Sequence, residues 1–222
     1  MADQKFVAIG DIHGCVRTLE AMLKQLEEHN DRTFVFVGDY VDRGPDSRGV
    51  VDLILNFKED HDCITLRGNH EQMLLDAVRS GDVSLWMMNG GQSTLNSYDN
   101  GPGELDLPDE HIEFFKSTRL FYDTPDYFFV HAGAPPYRKI ADSKKDKEAP
   151  YHFLWDRSHL NALETAWEKK VVFGHTPRSH PIVKDKMLGI DTGCVYRSLG
   201  YGKLTSILLP EEKFIKQICL DH

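Results

Sequence analysis

The chain has 222 residues, of which 41% are hydrophobic and 27% charged, and these proportions exclude an intrinsically disordered, collagen-like or coiled-coil chain. Its net charge of −9 argues against binding to nucleic acid or to an anionic membrane surface, because such binding depends on Lys and Arg. A chain of this length forms a core large enough to fold without disulfides or a structural metal ion. We therefore expect one domain over residues 1–222, in which any metal ion serves chemistry.

The cysteines and the N-terminal residues point to the cytoplasm. The four cysteines are scattered, with no CxxC pair, which is typical of free thiols in a reducing compartment. The first residues lack the apolar segment of a signal peptide, and no run approaches the length of a membrane span. The four cysteines are Cys15, Cys63, Cys194 and Cys219.

The hydrophobic pattern of the first third of the chain alternates between strands and helices. Short apolar or β-branched runs predict the strands, and apolar residues at helical spacing predict the helices. This βαβαβ order predicts a largely parallel sheet. The predicted strands cover residues 6–9, 33–37 and 63–66, and the predicted helices cover residues 15–29 and 50–57.

The pattern is less regular after residue 80. Residues 80–110 hold several glycines, Gly101 and Gly103 among them, and predict an irregular insertion of a length that often serves function. A helix is predicted near 109–118 and a charged surface loop over 135–150. Further strands are predicted over residues 127–130, 171–173, 187–190, 204–209 and 213–219.

Each of the three early strands is predicted to lead into a loop that contains glycine and is rich in metal-ligand side chains. Two stretches of 23 residues, 15–37 and 45–67, separate these segments, a length that suits one helix plus one strand. In a parallel sheet the segments then emerge at one edge, where α/β proteins place their sites. The segments are Gly10-Asp11-Ile12-His13-Gly14, Gly38-Asp39-Tyr40-Val41-Asp42-Arg43-Gly44 and Gly68-Asn69-His70-Glu71.

The ligand types in these segments favour two metal ions. Taken singly, each Asp, Asn or His is more often a turn or core residue, but so many in three spaced segments do not coincide by chance. Mixed nitrogen and oxygen ligands suit Mn, Fe, Zn or Co, and two ions about 3.5–4 Å apart bind a bridging hydroxide and polarise a phosphoryl group. The candidate ligands are Asp11, Asp39 and Asn69 with His13, His131 and His175, the last two following later strands.

These segments, together with His131-Ala132-Gly133 and Gly174-His175-Thr176, resemble the metal-dependent phosphoprotein phosphatases, in the short bacterial and phage branch of the calcineurin-like metallophosphoesterases. The resemblance implies an α/β fold with a central mixed β-sandwich flanked by helices. It implies two divalent transition-metal ions, for which we expect Mn, with Fe or Zn as alternatives. One ion is held by Asp11, His13 and Asp39, and the other by Asp39, Asn69, His131 and His175.

The resemblance also implies the catalytic roles. His70 is the general acid and Asp42 orients it, while Arg43 grips the substrate phosphate. The family uses a second arginine, for which Arg157 is a better-placed candidate than Arg138 or Arg178. Asn69 and the two arginines are then the substrate-binding residues.

The expected reaction is phosphomonoester hydrolysis. The expected substrate is a phosphoserine or phosphothreonine protein or a small phosphoester. The protein is compatible with a monomer, although the sequence does not fix the oligomeric state. One alternative is a symmetrical dinucleoside tetraphosphatase. Those enzymes resemble this pattern but have Ala in place of Asp42 and Asp in place of Glu71. A second alternative is a non-catalytic phosphate-binding protein, against which the intact ligand set argues. The connection over residues 195–202 departs from the family pattern and leaves substrate choice open.

Overall fold

The computed structural model describes residues 4–98, 106–198 and 200–221. Two five-stranded mixed sheets pack face to face, and helices cover their outer faces. This arrangement confirms the predicted α/β sandwich. No helix of the described residues is long and apolar enough to cross a membrane.

The first sheet carries the three early strands side by side and parallel. The chain then returns at its end to add two antiparallel strands, so the order is β10-β9-β1-β2-β3. The strands are β1 (Phe6–Ile9), β2 (Thr33–Phe36), β3 (Cys63–Thr65), β9 (Lys203–Leu209) and β10 (Lys213–Ile218).

The second sheet also has three adjacent parallel strands. Its order is β4-β5-β6-β8-β7, in which β5, β6 and β8 are parallel and the two edge strands antiparallel. The strands are β4 (Phe121–Asp123), β5 (Tyr127–Val130), β6 (Lys170–Phe173), β7 (Ile182–Lys184) and β8 (Met187–Gly189).

The side-chain alternation of the strands separates two cores. Phe6 and Ala8 of β1 pack between the sheets, whereas Val7 and Ile9 face the helices, as the two-residue period of a strand requires. The helices are α1 (Val16–Gln25), α2 (Ser47–Asp60), α3 (Asn69–Ser80), α4 (Ser84–Met88), α5 (Gly91–Ser97), α6 (Asp109–Ser117), α7 (Ile140–Ser143) and α8 (Ala149–Trp155), with 3₁₀ turns at Glu27–His29 and Ser158–Asn161.

The expectation of a loop at residues 68–71 is wrong, because α3 begins at Asn69. Glu71 caps this helix by accepting the Gly68 N–H at 2.8 Å. The first turn of α3 is polar yet buried, and so it lacks the apolar spacing by which a helix is recognised in a sequence.

The expected irregular insertion over residues 80–110 is helical in most of its described part. Gly81 ends α3 and Gly90 precedes α5, with φ values of 77° and 102°. These glycines therefore mark helix ends rather than a loop, while Gly101 and Gly103 lie outside the described residues. The charged loop expected over 135–150 similarly contains α7 and the start of α8.

A matched pair of leucines tests the core between the sheets. Leu188 of β8 is 0% exposed in that core, and Leu163 is 99% exposed. We expect Leu188→Ala to lower the free energy of unfolding by about 2–5 kcal/mol, since it removes buried methyl groups and leaves a cavity. Leu163→Ala is expected to change it by less than about 0.5 kcal/mol. Equal losses in urea titrations of the two variants would contradict this packing.

Candidate active site

The parallel strands of both sheets end at one place, and the predicted site residues lie there. Segments after β1 and β2 and the start of α3 approach from the first sheet. His131 follows β5 directly, and His175 follows β6. The two sheets meet here, because the His131 Nδ1–H donates to the Val37 carbonyl at 3.0 Å.

The Asp39 carboxylate lies at the centre of this site among histidines. Asp39 Oδ2 is 3.5 Å from His13 Nε2 and 4.0 Å from His70 Nε2. Asp39 Oδ1 is 3.3 Å from His131 Nε2, and the Nδ1 of His175 is 3.1 Å from the same His131 nitrogen. Two ligand groups thus share one carboxylate: His13, Asp39 and His70, and Asp39, His131 and His175.

The orientation of the rings fits metal ligation. His13 Nδ1 and His131 Nδ1 each lie within hydrogen-bond distance of a backbone carbonyl, at 2.8 and 3.0 Å. Donation there leaves the Nε2 lone pairs facing the Asp39 carboxylate, which is how proteins orient ligating histidines. Asn69 Oδ1 also lies 3.0 Å from His131 Nε2 and 2.9 Å from His175 Nδ1. A cation between these converging atoms would satisfy their lone pairs.

Asp11 does not lie among the histidines as Asp39 does, but contacts the backbone at His175. Its two carboxylate oxygens accept the His175 N–H at 3.1 and 2.9 Å. Gly174 permits this approach, since a Cβ there would collide with Asp11 Oδ1. Asp11 is outside the two ligand groups around Asp39, and its place in the first metal shell stays a prediction.

The site holds most of the strained backbone among the described residues. Among the described residues, six non-glycine residues have positive φ. One of them, Glu212, lies outside the site. Such conformations cost about 1–3 kcal/mol each and persist only where surrounding structure enforces them. The other five, with φ from 49° to 71°, are His13, Asp39, Asp42, Arg43 and His175.

Glu71 stabilises the strained backbone at Asp39. Its buried carboxylate accepts the N–H groups of Asp39 at 2.9 Å and Tyr40 at 2.8 Å, as well as that of Gly68. It therefore ties the segment after β2 to the start of α3. Burial and the Asp39 charge raise the pKa of Glu71 to about 7, and the three N–H donors hold it in place as an acceptor.

His70 and Asp42 form a buried pair beside the histidine cluster. His70 Nδ1 lies 2.6 Å from Asp42 Oδ2, while Asp42 Oδ1 accepts from Trp86 Nε1 at 2.9 Å and Thr94 Oγ1 at 2.7 Å. The carboxylate is thus fixed on both oxygens. His70 Nε2 remains directed toward Asp39.

The electrostatics separate His70 from the other imidazoles. Burial lowers the pKa of His13, His131 and His175, which keeps these rings neutral, the form that binds metal. Burial also acts on His70, but the Asp39 and Asp42 carboxylates outweigh it and raise its pKa.

The pKa values of the buried Asp11 and Asp39 carboxyls shift in opposite directions. Burial and the nearby Asp191 and Asp39 charges raise the pKa of Asp11. Burial opposes ionisation of Asp39 as well, but attraction to the surrounding imidazoles in their protonated forms, His131 first, outweighs it and lowers the pKa of Asp39. A bound cation would offset the cost of the buried negative charge.

Two of the four candidate arginines border the site. Arg43 is exposed, and its guanidinium reaches His13 Nε2 at 2.6 Å. Arg157 is exposed and donates from Nε to Thr176 Oγ1 at 3.1 Å, next to His175. Arg138 instead pairs with Asp146. The Arg178 N–H donates to the Asp191 carbonyl.

Sequence reasoning missed the residues that hold the site in shape. Trp86 and Thr94 fix Asp42 from α4 and α5, and nothing in the sequence links that distant segment to the second loop. The sequence around Glu71 distinguishes subfamilies but does not reveal its hydrogen bonds to the segment after β2. Asp191, buried beyond β8 and accepting the Gly193 N–H at 2.8 Å, could have been found, because it too follows a parallel strand.

The family model of calcineurin-like phosphoesterases matches residues 4–197. The asymmetrical bis(5'-nucleosyl)-tetraphosphatase PrpE of Oceanobacillus iheyensis is 29% identical over 236 residues, with 95% of this chain and 91% of that protein covered. Serine/threonine-protein phosphatase 1 of Salmonella typhimurium is 31% identical over 199 residues, with 85% and 86% covered.

A solved structure is also similar to this chain in sequence and fold. A crystal structure provisionally described as a diadenosine tetraphosphatase is 26% identical, with a TM-score of 0.72, and the match covers 100% of this chain and 96% of that one. Together with the paired ligand groups around Asp39, these matches show that the chain belongs to the calcineurin-like phosphoesterase family of metal-dependent hydrolases.

Proposed function

We propose that this phosphoesterase hydrolyses phosphomonoesters, with phosphoserine and phosphothreonine proteins as its substrate class. The observation that carries the proposal is the buried pair in which Asp42 Oδ2 lies 2.6 Å from His70 Nδ1. A serine or threonine alkoxide leaves poorly unless it receives a proton. An imidazole positioned by a carboxylate supplies that proton.

The ligand groups around Asp39 are the proposed binding site of two divalent ions. His13 and Asp39 with the nearby Asp11 would hold one ion, and Asp39, Asn69, His131 and His175 the other, with Mn expected. His70, although it lies in the first group, stays unligated in this proposal and acts as the general acid. Two such ions, when bound, activate a water molecule and polarise a phosphoryl group. Asp39 belongs to both groups, and Glu71 fixes the backbone on which it stands.

The two rim arginines are the proposed phosphate clamp. Arg43 lies beside His13 of the first ligand group, and Arg157 lies near His175 of the second. The two arginines therefore border the ligand cluster on different sides. Their charges stabilise the negative charge on the equatorial phosphoryl oxygens, while His70 faces the leaving group. Asn69 then contacts substrate from the start of α3.

The relatives favour a second candidate, the hydrolysis of dinucleoside tetraphosphates. PrpE proteins are named for that activity, and they cover most of this chain. A nucleotide phosphate is a good leaving group that needs little proton donation, so the His70–Asp42 pair would contribute less there. Assays of diadenosine tetraphosphate and a phosphoserine peptide, at equal enzyme and Mn²⁺ concentrations, separate the two. Higher kcat/KM on the tetraphosphate would reject the first candidate.

Metal dependence tests the role of Asp39. Exhaustive chelation should abolish activity, and Mn²⁺ should restore it. Asp39→Asn should reduce bound Mn at both positions, because it removes the shared charge while Asn tolerates the positive φ. Elemental analysis measures the Mn content of the purified variant. Asp31→Asn, at an exposed acid paired with Lys5, is the control and should bind as the wild type does. Full activity in verified metal-free protein would contradict the two-ion proposal.

A pair of exposed arginines tests the clamp. Arg157→Ala should lower kcat/KM by the equivalent of about 2–4 kcal/mol, the scale for one electrostatic donor to the transition state. Arg138→Ala, in the surface pair with Asp146, should leave it nearly unchanged. A larger loss of kcat/KM in Arg138→Ala than in Arg157→Ala would show that Arg157 is not the second clamp.

Leaving-group dependence tests His70. His70→Asn should slow phosphopeptide hydrolysis by about 10²–10⁴-fold, the value of a positioned general acid. The loss should be much smaller on p-nitrophenyl phosphate, whose phenolate leaves without a proton. Asp42→Asn should show the same asymmetry more weakly. Equal losses on both substrates, with Mn content unchanged, would show that His70 does not act on the leaving group.

A further inference from the structure

Three buried cysteines form a cluster separate from the phosphoesterase site. Cys15 precedes α1, Cys194 follows Asp191, and Cys219 follows β10. Each is less than one-tenth exposed. Their sulfur atoms all lie within 4.8 Å of one another, so residues from three distant parts of the chain meet at one point.

The sulfur spacing is that of ligands to one ion. Cys15 Sγ and Cys219 Sγ are 3.9 Å apart. Two thiolates bound at about 2.3 Å from one tetrahedral ion lie roughly 3.8 Å apart, whereas a disulfide joins sulfurs at about 2.05 Å. Two thiols in simple contact also reach such a distance, but convergence of a third sulfur is what an ion requires.

We propose that Cys15, Cys194 and Cys219 bind one thiophilic cation, Cu⁺ or Zn²⁺, as thiolates. Soft sulfur ligands select these ions over the oxygen-seeking ones. Each thiol that coordinates releases its proton to solvent, and no oxidant or reductant takes part. The site differs in chemistry from the nitrogen and oxygen groups around Asp39, and it would be loaded independently of them.

The surroundings bear on which of the two ions binds. In the part of the chain that the structure describes, no histidine or fourth cysteine joins this group, and three sulfur ligands alone suit Cu⁺. The Asp221 carboxylate nearby accepts the Arg17 and Thr18 N–H groups at 2.9 and 2.8 Å. Its negative charge favours the more highly charged Zn²⁺. The two ions are therefore separate arms of the test.

An ion at this point would link the end of the chain to the first catalytic segment. Cys15 is two residues beyond His13, and Cys219 lies in the last described segment. That segment contacts α1 through the Leu220 N–H, which donates to Thr18 Oγ1 at 2.8 Å. Ion binding should therefore raise the temperature of unfolding, because it stabilises only the folded arrangement.

Cobalt spectroscopy on the full chain is the decisive experiment. Reduced protein titrated with Co²⁺ should show near-ultraviolet thiolate-to-cobalt charge transfer, which nitrogen and oxygen ligands do not produce. The band should saturate at one ion per chain and persist in Asp39→Asn. Cys219→Ala should weaken binding by at least about tenfold, as even loss of an outer-shell partner does. Cys63→Ala, at the cysteine outside the cluster, should behave as the wild type.

The Cu⁺ and Zn²⁺ arms use the same variants under anaerobic conditions. In the Asp39→Asn background, which weakens binding at the phosphoesterase site, the ion that binds should be retained through dialysis and should raise the unfolding temperature together with Cys63→Ala, but not together with Cys219→Ala. Circular dichroism confirms that each variant is folded, and Cys219→Ser replaces Cys219→Ala if it is not. Retention of neither Cu⁺ nor Zn²⁺ by protein whose thiols titrate as free, or an equal charge-transfer band in the folded Cys219 variant, would overturn the proposal.

Discussion

The site depends on one buried carboxylate, Asp39, held among four imidazoles. Its distances of 3.3–4.0 Å to three of them bring together ligands from both sheets. This arrangement gathers lone pairs and negative charge where water is excluded, which is costly without a cation. The free energy for holding it comes from elsewhere, chiefly from the two packed cores on either side of the first sheet.

The support for Asp39 is arranged in layers. Glu71 bonds the backbone around it and so overcomes the cost of its positive φ of 55°. Trp86 and Thr94 play the same part for Asp42, which in turn orients His70. Rigid elements thus hold Asp39, Asp42 and His70, whereas Arg43 and Arg157 are exposed at the rim of the site.

The strands and the clustering of ligands could be predicted from the sequence because both follow from local rules. Apolar runs that end in glycine identify β1, β2 and β3, and parallel strands bring His13, Asp39 and Asn69 to one edge. The start of α3 could not be predicted, since its first turn is built from site residues instead of an apolar stripe. The contact of Trp86 with Asp42 spans 44 residues and follows only from tertiary packing. The position of an exposed side chain such as Arg157 could not be predicted either, because no local folding rule sets it.

The central claim is that the ligand groups on either side of Asp39 each bind an ion. Anomalous scattering from crystals of the Mn-loaded protein measures this directly. We expect two peaks about 3.5–4 Å apart, with Asp39 between them, one beside His13 and the other beside His131 and His175. A single peak at full Mn occupancy, or two peaks that do not share Asp39, would contradict it.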